Sequence, residues 1–498
     1  MSKLNRDILY YIFQDLDHLM NDDFINKGFI NNKCVNSLHS CLFVNKLWCE
    51  VMIPILWSYP YNYAYKRKSL FNSIISHLSD NSINLLKDEN IIETNFQKYK
   101  LSFNYIRFCK YLKDIDGIFP NKSRILREEI YKLFISECST IKYLSADMLH
   151  YSIYEYPGSN NSLSNLYQLD CETVNQYFYR NLAQICRSIE KIKIIIFDDK
   201  LFGVAELIEM QKQIKYIFID EFSKCKRISQ ALEKHANSII YLHTRTRCSF
   251  LHLHSIFPKL TNLQYLIING ENNSDIIFEK YIINVGYCNL QTLELLDIYN
   301  LQAAINIIQN TNGNLQRVKI KLNNNYYNVK EYNQSIYKYC PNIKYVTVFL
   351  NINETLEELE KIFIKCQHLE IIEINERILN EYCDDFLKLL IKSSPSTLYK
   401  IRICHEVRDF NEETLKSFLT NWSYKGEKTL HLYCNYSTEW DNFIKDHKIN
   451  GVFKCNEFVF WETKLYDLRQ CVANNMPRIY IAADSKDDSS SDFDEDID

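Results

Sequence analysis

The sequence predicts an α/β fold in four parts. These are a short N-terminal three-helix module (residues 1–60), a helical connector (61–135), a solenoid of strand-helix repeats about 24–29 residues long (136–483) and a disordered acidic tail (484–498). Three observations lead there. A triplet of aliphatic residues, spaced as L-x-x-L-x-L, recurs at a nearly constant interval over most of the chain. Segments with helical spacing separate the copies. The composition, 46% hydrophobic and 24% charged, supplies a large core that a one-dimensional array can grow without splitting into separate globules.

The first module opens with Asn5 as a candidate N-cap and an amphipathic stretch over 4–16. Ile8, Ile12 and Leu16 lie on one stripe there, with Leu9 and Phe13 beside them. A second apolar segment carries Leu38, Cys41, Leu42, Val44, Trp48 and Val51. Pro54 is expected to interrupt it before Ile55-Leu56-Trp57. Helices this short cannot bury their own apolar faces alone, so these side chains are expected to meet another protein or the next domain.

The run Leu4-Asn5-Arg6-Asp7-Ile8-Leu9-Tyr10-Tyr11-Ile12-Phe13, the stretch Val44-Asn45-Lys46-Leu47-Trp48 and the close Pro54-Ile55-Leu56-Trp57 together resemble the F-box family. Asn5 replaces the family's usual proline, and residues 17–36 exceed its usual loop. The resemblance implies docking onto the Skp-type adaptor, and through it the cullin, of an SCF ubiquitin ligase. The adaptor-binding residues it implies are Leu4, Ile8, Leu9, Leu16, Leu42, Val44, Trp48, Leu56 and Trp57. The same residues also suit an ordinary helical cap packed on the following domain. Residues 61–135, rich in Tyr, Lys and aliphatics such as Leu70, Ile74, Ile75 and Leu78, read as a helical connector.

The repeat starts at Ile189, Ile214, Leu263, Leu290, Leu315, Ile343, Leu369 and Leu398, with a weaker copy at Ile239, so successive starts lie 24 to 29 residues apart. Degenerate copies are expected at Ile141-Leu144, Leu163-Leu166, Leu430-Leu432 and Phe458-Phe460. Spacings such as Leu356, Leu359, Ile362 and Phe363 place a helix after each strand. The array is similar to the leucine-rich repeat in the long form that F-box proteins carry. Glu271 and Ile298 stand where that family has its turn asparagine. Cys138, Cys186, Cys340 and Cys366 each fall three residues before a repeat start, which reads as one recurring interior position.

Strand positions four and six are expected to face the core, leaving three and five for the concave surface. On that surface the candidate substrate-binding residues are Tyr216, Phe218, Tyr241, His243, Tyr265, Ile267, Arg317 and Tyr345. Tyr supplies contact area with a polar handle, although it also favours strands, and the chain holds 36 of them.

Several function classes fall away on spacing. The nine glycines never lie closer than Gly270 and Gly286, so no phosphate-binding glycine loop or GxSxG elbow can be written. The closest of the 17 cysteines, Cys34 and Cys41, are seven apart, which leaves no CxxC, and no HExxH occurs. No catalytic residue, metal site or cofactor is expected. The N-terminus lacks a signal-peptide block and no apolar run reaches membrane-spanning length, so an intracellular protein, cytoplasmic or nuclear, without membrane contact is expected. The net charge of −4 comprises −7 over residues 484–498 and +3 over the rest, which gives no electrostatic case for nucleic acid. Ser485, Ser489 and Ser491, each three residues before an aspartate, suit an acidophilic kinase, although a plain solubilising tail is the preferred reading. The expected function is a non-catalytic substrate receptor that captures a protein for ubiquitination. The alternative is a repeat scaffold or inhibitor with no ligase contact.

Overall fold

The computed structural model describes residues 5–13, 40–60, 67–113, 123–172, 175–197, 200–221, 226–246, 255–270, 285–298, 300–322, 328–350, 356–375, 383–407, parts of 413–421, and 431–436. The chain divides into two compact units, one of residues 1–55 with 457–498, the other of residues 56–456.

In the first unit, residues 6–13 form the expected helix, but its buried stripe is Leu9 and Phe13. Ile8 and Ile12 face outward. Both stripes have the i, i+4 spacing of one helix face, and the choice is made by the Trp48 indole, which packs edge-on against the Phe13 ring at 5.1 Å. Arg6 lies 3.5 Å from Glu50. The expected break at Pro54 does not occur, for the helix Lys46–Ser58 runs through it. Proline removes one backbone hydrogen bond there, and burial of Met52, Ile53, Ile55 and Leu56 around it offsets the loss.

The second unit opens with helices Arg67–Ile75 and Asp80–Asp88, and helix Arg124–Glu137 lies between the first two strands of its sheet. Ser79 and Ser123 cap the last two by accepting from the backbone N–H groups of Ser82 and Ile125. A sheet of thirteen parallel strands follows: β1 (Tyr111–Leu112), β2 (Tyr143–Leu144), β3 (Gln168–Cys171), β4 (Lys191–Ile196), β5 (Tyr216–Glu221), β6 (Tyr241–Thr246), β7 (Tyr265–Gly270), β8 (Thr292–Ile298), β9 (Arg317–Leu322), β10 (Tyr345–Phe349), β11 (Ile371–Asn375), β12 (Lys400–Val407) and β13 (His431–Tyr436). Each strand pairs only with its sequence neighbours. Strictly sequential parallel pairing with a crossover at every step is the arrangement of a solenoid, in which each repeat rests on the one before.

The repeat period holds, with two changes of detail. The ladder starts one repeat earlier than the period indicates, because Leu112 pairs with Leu144 inside the stretch read as a helical connector. The copy placed at Leu163-Leu166 lies three residues later, since Leu169 pairs with Leu144 on one side and Ile192 on the other. Phe458-Phe460 lies outside the described residues. The register then continues in step through Ile217, Leu242, Leu266, Leu293, Val318, Val346, Ile372, Ile401 and Leu432.

Among the described side chains of β3–β12, positions four and six are buried, nearly all of them in one continuous core with the helices that follow the strands. In Leu356–Lys365, for example, Leu359, Ile362 and Phe363 are buried at the expected spacing. The recurring cysteines are fully interior, and three of them donate to backbone carbonyls of the preceding repeat: Cys138 Sγ to Ile106 O (2.9 Å), Cys186 Sγ to Leu163 O (3.0 Å) and Cys366 Sγ to Cys340 O (3.7 Å). Gln211 stands at the same position between them. Its amide donates to Cys186 O and Leu207 O and accepts from Ile189 N, so three interior backbone groups depend on one side chain. At β8 the ladder is interrupted by a bulge between Leu295 and Ile298, where Asp297 takes φ 60°.

Candidate functional site

Two surfaces carry the residues singled out above. On the first unit, Ile8 is 50% exposed and Phe43 86%, and Tyr11, Ile12 and Val44 are exposed as well. Soluble chains scatter exposed apolar residues singly, and five among so few described residues are a denser set than that. Among the residues proposed for adaptor binding, Ile8 and Val44 are exposed, Leu42 and Trp48 are half-buried, and Leu9 is buried. Leu4 and Leu16 lie outside the described residues. Leu56 is buried in the second unit, where Trp57 stacks on Tyr105 at 4.9 Å with 25° between the rings.

The second surface is the face of the sheet opposite the helices, helix-free among the described residues. Parallel pairing in register stacks position three of every strand into one row and position five into a second, with neighbours about 4.8 Å apart. All eight residues proposed for substrate contact lie in these rows, in two groups. Over β5–β7 the rings of Tyr216, Tyr241 and Tyr265 follow one another at 6.4 and 6.0 Å, and Phe218 meets His243 edge-on at 4.6 Å with Ile267 next in the row. Over β9 and β10 the Arg317 guanidinium lies 3.9 Å above the Tyr345 ring.

The face is packed more closely than an open surface. Tyr241, Tyr265, Ile267, Arg317 and Tyr345 are all buried, while Tyr216, Phe218 and His243 are half-buried. Their neighbours explain it. Arg317 Nε donates to Glu294 Oε1 at 2.5 Å, Tyr345 Oη donates to Glu373 Oε2 at 2.5 Å, and Arg402 lies 3.7 Å from Glu373. A line of alternating charge and aromatic ring thus crosses β8 to β12. At the other end, Tyr143 Oη donates to Asp170 Oδ2 at 2.8 Å, and Lys193 lies 5.6 Å over the Phe218 ring. Burial pushes the Asp170 carboxyl above the usual carboxylate range against that hydrogen bond and the nearby lysines.

Two departures from a regular ladder sit in this face. Strands β9 and β10 pair only at Arg317–Tyr345 and Val318–Val346. Beyond that point side chains serve β9 instead: Thr347 Oγ1 accepts from Ile320 N, and Asn375 Nδ2 donates to Ile320 O, each at 3.3 Å. The second departure is His243, whose two ring nitrogens are buried with no hydrogen-bond partner. Residues Glu294, Lys319, Thr347, Glu373 and Arg402 complete the surface and were legible only as position five of their repeats.

Burial pulls the His243 imidazole down to about 4, with Glu294 pulling the other way and Arg245 adding to the fall. Its folded value lies below that of the unfolded chain, so between about pH 6.5 and 4 the unfolded state binds the extra proton, and stability falls by about 1.4 kcal/mol per pH unit on acidification. His243→Leu is therefore expected to flatten the pH dependence of the urea midpoint over that window. An unchanged slope would exclude His243 as its source.

Compared with protein-family models and with curated proteins, the chain matches none. Among the described residues no helix is long and apolar enough to cross a membrane, and no cluster of three or more His, Cys, Asp or Glu side chains suits a metal ion.

Proposed function

We propose that this protein is the substrate receptor of an SCF-type ubiquitin ligase, with the first unit binding a Skp-type adaptor and the helix-free sheet face holding a protein substrate. Ubiquitin transfer belongs to the cullin-bound partners, and the chain itself is not catalytic. The observation that carries this reading is the exposed apolar set Ile8, Tyr11, Ile12, Phe43 and Val44 on a module whose sequence resembles the F-box. The chain continues into a solenoid of the type that presents a long row of contacts to another protein. Adaptor contact falls on Ile8, Ile12 and Val44, while Leu9 and Phe13 hold the module together from inside.

Titration calorimetry of the full chain with a purified Skp-type adaptor tests the proposal. Saturable binding is expected, and Ile8→Asp with Ile12→Asp is expected to weaken it at least tenfold without changing the circular dichroism spectrum. No binding by the folded chain would sink it. The second reading, a repeat scaffold without ligase contact, draws on Trp57, which spends its ring on Tyr105 rather than on a partner.

A further inference from the structure

We propose that the helix-free face takes an extended acidic segment of a partner protein, with an apolar side chain seated over Phe218, His243 and Ile267 and a carboxylate on Lys319. The proposal deepens the substrate-capture reading above and rests on it for the identity of the captured protein, though not for the chemistry of the surface.

Charge comes first. Positions three and five of β8–β12 carry four cations, Arg317, Lys319, Lys400 and Arg402, against two carboxylates, Glu294 and Glu373. Glu294 is held by Arg317, and Glu373 by Tyr345 and Arg402. Lys319 sits between Glu294 and Thr347 in its row, is only 7% exposed, and has neither a hydrogen bond nor an ion pair among the described residues. Its stem is buried, but its Nζ is not among the fully buried unpartnered atoms, so the ammonium reaches the surface of this face, and the neighbouring Glu294 carboxylate already serves Arg317. The cation left within reach suits one more negative charge.

The second observation lies two to three strands away. The His243 imidazole has no hydrogen-bond partner at either nitrogen, and it lies between the half-buried Phe218 ring and Ile267. That is an apolar seat, for the ring nitrogens lie buried beneath it, and it suits an aliphatic or aromatic side chain.

Spacing joins the two. From β6 or β7 to β9 is two or three strand intervals, about 10–14 Å, which an extended chain covers in about three to four residues. The recognised segment therefore carries an apolar residue three or four positions from an Asp or Glu, and it crosses the strands rather than pairing along one.

A random twelve-residue peptide display library selected on the full chain tests this. Enriched clones are expected to be acidic, with an aromatic or aliphatic residue three or four positions from Asp or Glu. The best clone, made as a fluorescent peptide, is expected to bind at least tenfold more weakly to Lys319→Ala. It should bind unchanged to Lys321→Ala, whose lysine is 64% exposed beside Asp297. Matching circular dichroism melts show that both variants fold. Failure to enrich any clone, enrichment of neutral or basic clones, or binding indifferent to Lys319→Ala overturns the proposal. The adaptor titration reads the first unit and this selection reads the sheet, so either can fail while the other stands.

Discussion

Arg317→Ala is expected to lower the stability of the β8–β10 region by about 3–5 kcal/mol, more than any other single change on the sheet face. Both partners of the Arg317–Glu294 pair are 2% exposed, and their contact is 2.5 Å. Truncation leaves the Glu294 carboxylate buried without its counter-ion and removes the guanidinium from the Tyr345 ring. Arg317→Met combined with Glu294→Leu is expected to recover most of the loss, since replacing both charges removes the desolvation cost together with the attraction. In a solenoid the damage stays near the altered repeat, so hydrogen exchange of the β8–β10 amides is the measurement to make. A loss below about 1 kcal/mol would mean that the pair behaves as if it were in water.

The second large effect is expected at Gly203. This residue lies in the first turn of helix Phe202–Glu209, and its N–H donates at 3.0 Å to the Gln176 side-chain oxygen, which also accepts from Val204 N. Gln176 begins the preceding helix, Gln176–Ile185, so one side chain caps the next repeat's helix. The two backbones approach so closely that a methyl group on Gly203 would stand 1.9 Å from the Gln176 carbonyl oxygen. Gly203→Ala must therefore push one helix off the other, at an expected cost of about 3 kcal/mol. Gly286→Ala supplies the contrast. Its added carbon would meet nothing nearer than 3.9 Å, and the change is expected to be neutral or to stabilise by up to about 1 kcal/mol through the unfolded chain. Equal thermal shifts for the two variants would refute the close-approach argument.

Much of the solenoid was legible because burial repeats. Positions four and six are buried and aliphatic in most turns, and that demand writes a period into the sequence that survives drift at all other positions. Where the demand is met by another residue type the period fades. The first repeat was hidden because Cys109 fills its opening position and 32 residues separate it from Ile141. The repeat at Leu166 was misplaced because Leu163, Leu166 and Leu169 are equally spaced, and only hydrogen bonding to the adjacent strands chooses among them.

The sheet face was legible as a list of residues, but its pairings were not. Glu294 and Arg317 are 23 residues apart, and Tyr345 and Glu373 are 28 apart, so nothing local joins them. The same holds for the first helix, where two stripes of equal spacing compete and only the Trp48 ring selects Leu9 and Phe13.

Periodic burial of aliphatic side chains is a one-dimensional property, so the order of residues specifies a strand-helix array that follows a short apolar module along the chain. Which charges on the sheet neutralise one another, and that Lys319 has no ion pair among the described residues, follows only from the folded arrangement. Pair energies depend on distance and on exclusion of water, and both are fixed only when strands from separate repeats come into register.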